Sequence, residues 1–228
     1  MLKTVFLDLD DTILDFTRAE AAALRRALTE ADVPADDGVL ARYHAINAAQ
    51  WELLEEGVLT REQVLLGRFD ILFGELGLVR SAGEICERYE EYLGEGHWFI
   101  PGAEALLETL APRYDLYLAS NGTAWVQHRR LESAGIGRYF RGIFISRELG
   151  ADKPSPVFFE RCFAAIPGFS RECAVMVGDS LTSDIRGARN VGLRSCWYNP
   201  QYLPPRPDIP ADYTIGALPE LPPLLERL

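Results

Sequence analysis

The chain has 228 residues, 48% apolar and 25% charged, which is the make-up of an ordinary globular protein with room for a core and a smaller insertion. A net charge of −11 argues against nucleic acid as a partner, because phosphate neutralisation needs a basic face. No apolar run reaches the ~20 residues that span a bilayer, and the N-terminal run carries Asp8 and Asp10, so no membrane segment or signal peptide is expected and the expected location is cytoplasmic.

Val5, Phe6 and Leu7 read as a buried strand of a parallel sheet, and the run ends abruptly in Asp8, Asp10, Asp11 and Thr12. Carboxylates at the tip of a buried strand are costly unless paired or bound to metal. The carboxyl end of a strand is also where open α/β sheets bind ligands. Helices are then predicted over 18–30, 41–55, 60–76 and 82–92, with a break at Gly57 and a Thr60-x-x-Gln63 capping box opening the third. Gly94, Gly96 and Pro101 punctuate the chain. Beyond them strands are predicted over 115–119, 142–145, 173–177 and 194–197, alternating with helices over 103–110, 124–134, 156–165 and 184–191. A Pro-rich surface loop over 200–210, a strand over 213–215 and a final Leu-rich helix close the edge. This alternation predicts an α/β, Rossmann-like parallel sheet with right-handed crossovers. The first strand needs partners from the later ones. Residues 1–16 and 97–228 are therefore the expected core, and 17–96 an inserted α-helical cap domain over the acidic tip.

Four segments follow predicted strands: Asp8 to Thr12, Ser120-Asn121-Gly122, Lys153-Pro154, and Gly178-Asp179-Ser180 through Asp184. Each alone has an ordinary reading, such as a capped turn, a turn signal, an exposed lysine or an N-cap. Their coincidence, in order and each after an apolar strand, points to one shared active site. Composition singles out Lys153 independently. Of 23 basic residues only Lys3 and Lys153 are lysine, and a compact ammonium is not interchangeable with a guanidinium. Cys86, Cys162, Cys173 and Cys196 are scattered and read as reduced thiols; His44, His97 and His128 have no metal-ligand spacing.

The four segments resemble the sequence motifs of the haloacid dehalogenase superfamily of phosphohydrolases, and the resemblance spans the chain. It implies a Rossmann-like core, a helical cap of the first type and Mg²⁺ as cofactor. Asp8 then corresponds to the nucleophile that forms an aspartyl-phosphate. Asp10 corresponds to the general acid/base, expected among like charges. The implied metal ligands are Asp8 and Asp179 through side chains and Asp10 through its carbonyl. Ser120, the Asn121 N–H and Lys153 would hold phosphate oxygens, with Thr12 bracing the loop and Asp184 orienting the metal shell or Lys153. Asp11 stands where some relatives have glycine, and no role is assigned to it.

The cap adds a closer resemblance. Trp51, Gly57, Thr60, Gln63 and Gly67-Arg68-Phe69 are similar to a subgroup of pyrimidine 5′-nucleotidases. The implied partner is a small phosphorylated metabolite, foremost a nucleoside monophosphate. Trp51, Arg68 and Phe69 are the cap candidates for contacting the base, and helical spacing equally allows Trp51, Phe69 and Phe73 to be packing residues. A phosphatase of a sugar phosphate or phosphoglycolate is the alternative. A 2-haloacid dehalogenase would need neither Asp10 nor Asp179. A phosphonate-cleaving relative would need a cap lysine, and residues 17–96 contain none. A sugar phosphomutase would share the metal site, and a catalytically idle binding protein would not keep every catalytic group.

Overall fold

Side chains alternate across a strand, and the core follows that alternation. The computed structural model describes residues 1–228. Its strands are β1 (Thr4–Leu7), β2 (Asp115–Ser120), β3 (Gly142–Ile145), β4 (Ala174–Gly178), β5 (Arg194–Tyr198) and β6 (Tyr213–Ile215). They form one parallel sheet in the order β3-β2-β1-β4-β5-β6. Val5 and Leu7 of β1, Leu116 and Leu118 of β2, and Val175 and Val177 of β4 share one buried cluster. Phe6, Tyr117, Ala119, Ala174 and Met176, the intervening positions, share another on the opposite face. Helices cover both faces, as a buried parallel sheet requires. The first cluster is closed by α5 (Ala103–Leu110), α6 (Ala124–Ala134) and α10 (Leu221–Leu225). The second is closed by α8 (Pro156–Ala164) and α9 (Arg186–Asn190), while α7 (Ser146–Leu149) is a single turn after β3.

Residues between β1 and α5 form α1 (Phe16–Glu30), α2 (Asp37–Glu55), α3 (Arg61–Leu76) and α4 (Ala82–Leu93). They enclose a separate cluster of 17 buried residues, to which α6 adds only Val126. Helix α2 starts earlier than the spacing predicts because Asp36 caps it, accepting from the Gly38 and Val39 N–H groups at 2.9 and 3.1 Å. The capping box of α3 is present: Gln63 N–H donates to Thr60 Oγ1 at 3.3 Å, and Thr60 N–H to Gln63 Oε1 at 2.8 Å. The chain leaves and re-enters the sheet layer as a paired ribbon. Asp15 N–H donates to the Trp98 carbonyl at 2.8 Å, Ile100 N–H to the Ile13 carbonyl at 3.0 Å, and Leu14 bridges Phe99. No helix is long and apolar enough to cross a membrane.

Candidate active site

The winding direction of the sheet reverses at β1, the position where doubly wound sheets open a ligand crevice at their carboxyl edge. Asp8 is the first residue beyond β1, and its N–H still donates to the Val177 carbonyl of β4 at 3.0 Å. Its carboxylate meets Lys153. Lys153 Nζ donates to Asp8 Oδ1 at 2.6 Å, Asp184 Oδ1 at 2.6 Å and the Ala119 carbonyl at 2.7 Å. All three ammonium protons are used, and the side chain is 2% exposed. Three acceptors around a point suit a lysine and not the planar fork of arginine.

Asp8, Asp179 and Asp184 each bring a carboxylate oxygen within 4.8 Å of the others. The one ammonium pairs with Asp8 and Asp184 and leaves Asp179 without a cation. Burial pushes the Asp8 carboxyl up to about 8, with Lys153 opposing and Asp184 and Asp10 adding to the rise. Burial and then the Asp8 charge push Asp179 well above the carboxylate range. Burial would lower Lys153, but Asp184 and Asp8 outweigh it and hold the ammonium above its ordinary value. A charge-starved cluster with only oxygen donors fits a hard divalent cation such as Mg²⁺. Asp184 has both oxygens engaged, Oδ1 by Lys153 and Oδ2 by the Ser180 N–H at 3.1 Å. Asp8 Oδ2 and Asp179 Oδ2 have no partner in the protein, so these two carboxylates could hold the ion.

The local backbone explains why Asp184 can fold back. Residues Leu181–Ile185 form a widened helical turn in which the Asp184 and Ile185 N–H groups both reach the Ser180 carbonyl. The predicted helix over 184–191 is accordingly cut to α9. A Cβ on Gly178 would fall 2.1 Å from Asp184 Oδ2, so only glycine fits at the end of β4. Thr12 Oγ1 donates to Asp179 Oδ1 at 3.3 Å, and Trp197 Nε1 to the Asp179 carbonyl at 2.7 Å. Asp11 has φ +53°, which explains the glycine of some relatives. Its carboxylate accepts from the Thr17 N–H and hydroxyl, each at 3.1 Å.

Ser120 is buried at the end of β2, its Oγ accepting from the Gly122 N–H at 3.2 Å and Gln127 Nε2 at 2.8 Å. The Asn121 carboxamide bridges to the lysine loop: Lys153 N–H donates to Oδ1 and Nδ2 to the Lys153 carbonyl, both at 2.8 Å. Asp10 differs from expectation. Its Oδ1 pairs with the buried guanidinium of Arg130, and Gln127 Nε2 donates to its Oδ2 at 2.6 Å. Its nearest partners are thus a cation and an amide, both on α6, and not the like charges expected from sequence. The implied ion contact of Asp10 is its main-chain carbonyl, which leaves the carboxylate to these two donors. Neither Gln127 nor Arg130 stands out in the sequence.

A cavity of ≈210 Å³ lies between the strand ends and the helical insertion. Asp8, Asp10, Asn121, Lys153 and Asp179 line one side; Phe16, Trp51, Glu55, Leu65, Arg68 and Glu90 line the other. Trp51 is half-buried, with the Arg61 guanidinium 5.2 Å from its ring centre. Arg68 reaches the lining although only 2% exposed; it donates to Asn47 Oδ1 at 2.9 Å and lies 4.9 Å from the Tyr89 ring. Phe69 does not reach the cavity. It is fully buried among Tyr43, Phe73 and Tyr89, with ring centres 5.0 Å from Tyr43, which corrects its expected place at the substrate. Glu55 was not anticipated, and burial pushes its carboxyl up to about 7.

The model of the haloacid dehalogenase-like hydrolases matches residues 2–192. The chain belongs to this family. Among its relatives in the family is the HAD-hydrolase YfnB of Bacillus subtilis, 40% identical over 96% of this chain and 93% of YfnB. A crystal structure of YfnB bound to magnesium superposes with TM-score 0.94 over 98% of each chain, at 39% identity. The pyrimidine 5′-nucleotidase PynA of Streptococcus pneumoniae is 39% identical over 88% of this chain and 85% of its own length. The pyrimidine 5′-nucleotidase YjjG of Escherichia coli is 30% identical over 97% of this chain and 96% of its own.

Proposed function

We propose that this haloacid dehalogenase-like hydrolase is a Mg²⁺-dependent phosphomonoesterase that works through a phosphorylated Asp8, with a nucleoside 5′-monophosphate as substrate. One observation carries the reading: Lys153 fixes one oxygen of Asp8 at 2.6 Å, the other oxygen is unpartnered, and Asp10 lines the same cavity two residues away. Asp8 attacks phosphorus, the ester P–O bond breaks, and the leaving oxygen takes a proton from the Asp10 carboxyl. Asp10 then accepts a proton from water as its oxygen attacks phosphorus, and the electron pair of the Asp8–P bond returns to Asp8. Ser120 and the Asn121 N–H hold the phosphoryl oxygens, and the Lys153 ammonium, its three protons committed to Asp8, Asp184 and the Ala119 carbonyl, offsets their charge through space. Asp8, Asp179 and the Asp10 carbonyl would hold Mg²⁺, which when bound supplies further positive charge at the phosphoryl group.

Residues 17–96 act as the cap, and residues 1–16 and 97–228 as the catalytic core. The separate apolar cluster of α1–α4 and the cavity beneath them support this division. Trp51 is the stacking candidate and Arg68 the donor to a polar edge of the base. The names of PynA and YjjG support a pyrimidine nucleotide. Four free cysteines accord with a cytoplasmic location. Asp10 and Asp179 speak against 2-haloacid dehalogenase chemistry, which would leave both without work. Side-by-side turnover of UMP, dUMP, dTMP, AMP and sugar phosphates tests the substrate; preference for a sugar phosphate would overturn the nucleotide reading.

The metal reading has its own test. Because the folded Asp8 carboxyl is raised from 3.8 to about 8, the metal-free protein is most stable when it is protonated. That contribution is lost as pH rises through this window. Millimolar Mg²⁺ is therefore expected to raise Tm by several degrees at pH 8 and much less at pH 5.5, with EDTA reversing the gain and abolishing turnover. Equal shifts at both pH values, or turnover in EDTA, would remove the assignment.

For the cap, Trp51→Ala and Arg68→Ala are expected to lower kcat/KM for a nucleotide by about tenfold or more, the scale of one aromatic–base stack. The effect on p-nitrophenyl phosphate, which has no base, is expected to be under about threefold. Equal losses on both substrates would return these residues to packing.

A further inference from the structure

We infer that Gln127 and Arg130 are positioning residues for the Asp10 carboxylate, fixing the plane in which it exchanges a proton with the leaving group; this rests on the acid/base reading of Asp10. The two side chains lie one helical turn apart on α6 and meet Asp10 together. Gln127 Nε2 donates to Asp10 Oδ2 at 2.6 Å, Arg130 Nη1 pairs with Oδ1, and Nη1 also donates to Gln127 Oε1 at 3.0 Å. Two donors on two oxygens leave two of the four lone-pair positions of the carboxylate for the proton it must carry. Gln127 reaches Ser120 Oγ as well, at 2.8 Å, so one amide spaces the proton carrier from the phosphate-binding hydroxyl. The amide has no freedom to drift. A Cβ on Gly122 would fall 2.3 Å from Gln127 Nε2, so the Ser-Asn-Gly turn is closed around it.

Arg130 is held against the hinge as well. Its Nε donates to the Gly96 carbonyl at 2.9 Å, and its guanidinium lies 5.8 Å from the Phe16 ring, so it touches both crossings between cap and core. Arg130 is 1% exposed and its Nη2 is buried without a partner. Burying a cation with an orphaned N–H costs stability that a leucine at this position would not. Packing therefore does not account for arginine here, and the bond to Asp10 does.

The test is the dependence of kcat/KM on the leaving group. This parameter reports the steps up to release of the alcohol, and a p-nitrophenolate departs without a proton whereas phenolate benefits from one. For Arg130→Met and Gln127→Leu, kcat/KM is expected to fall less than about fivefold on p-nitrophenyl phosphate and about 10²-fold on phenyl phosphate, the low end of general-acid contributions. A loss equal on both esters, no loss, or a gain would overturn the inference. Should Arg130→Met fold poorly, Gln127→Leu carries the same comparison. Asp10→Asn separates the two levels of the argument. If it fails to steepen the leaving-group dependence, the acid/base reading falls. If it steepens it and the α6 variants do not, only the positioning inference falls.

Discussion

Asp8→Asn is expected to lower phosphomonoester turnover by about 10⁴-fold or more, the scale of losing a covalent nucleophile. The protein should remain folded. Lys153 keeps its bonds to Asp184 and the Ala119 carbonyl, and the amide retains the size of the carboxyl. The sign of the electrostatics also favours folding. Burial and the neighbouring acids disfavour an ionised Asp8, so a neutral side chain relieves a crowded cluster. Metal-free Asp8→Asn should therefore melt no lower than the wild type near pH 8, which separates lost chemistry from lost structure. The wild type, quenched in acid during turnover, should carry a phosphate-mass increment on the peptide containing Asp8. Turnover within tenfold of wild type, or the increment on another peptide, would sink the nucleophile.

Lys153→Met is expected to have the largest combined effect. Removing one partner of a buried ion pair leaves uncompensated charge and costs about 3–5 kcal/mol. Asp8 and Asp184 would both lose the cation they share. In a domain of this size each kcal/mol moves Tm by about 2–4 °C, so a fall of roughly 6–20 °C is expected. Activity should drop about 10²–10³-fold through loss of charge stabilisation at the phosphoryl group. Adding Asp184→Asn should recover part of the stability and none of the activity, since it removes the unpaired acid without restoring the ammonium. A Tm unchanged in Lys153→Met would show that the pair contributes nothing, against its 2% exposure and 2.6 Å contacts.

The strands and the residues at their ends are legible in the sequence because continuous apolar runs and abrupt polar termination are local signals. Asp8, Asp179 and Ser120 stand at the ends of apolar runs, Lys153 follows the turn of α7 beyond β3, and the sheet gathers them. Lys153 could be singled out by scarcity alone. Arg130 is hidden by the opposite circumstance, being one arginine among many in a chain that uses almost no lysine. Its partner Asp10 lies 120 positions earlier, and no local pattern encodes that distance. Gln127 is equally silent, since a buried glutamine looks like a surface one until the fold says which side of α6 faces the site. In the cap, Arg68 and Phe69 are adjacent and diverge by about 100° around α3. Composition cannot say which one turns to the cavity, and here the charged one does while the aromatic one enters the core. Helix α2 begins at Asp37 because of a capping aspartate whose role is visible only once the turn before it is known.

The ribbon joining the two layers has a consequence for how such a protein can change. The 2.8 Å bond between Asp15 and Trp98 means that the 82 residues between them start and finish at one point on the sheet layer. Insertions are tolerated where their ends lie close together. A graft of foreign helices at this seam is therefore expected to leave the strand register intact, since no sheet pairing runs through residues 17–96. Such a graft would have to replace the contacts that cross the seam: a carbonyl for Arg130 in place of Gly96, donors for Asp11 in place of Thr17, a partner for Thr123 in place of Glu90, and an apolar seat for Val126.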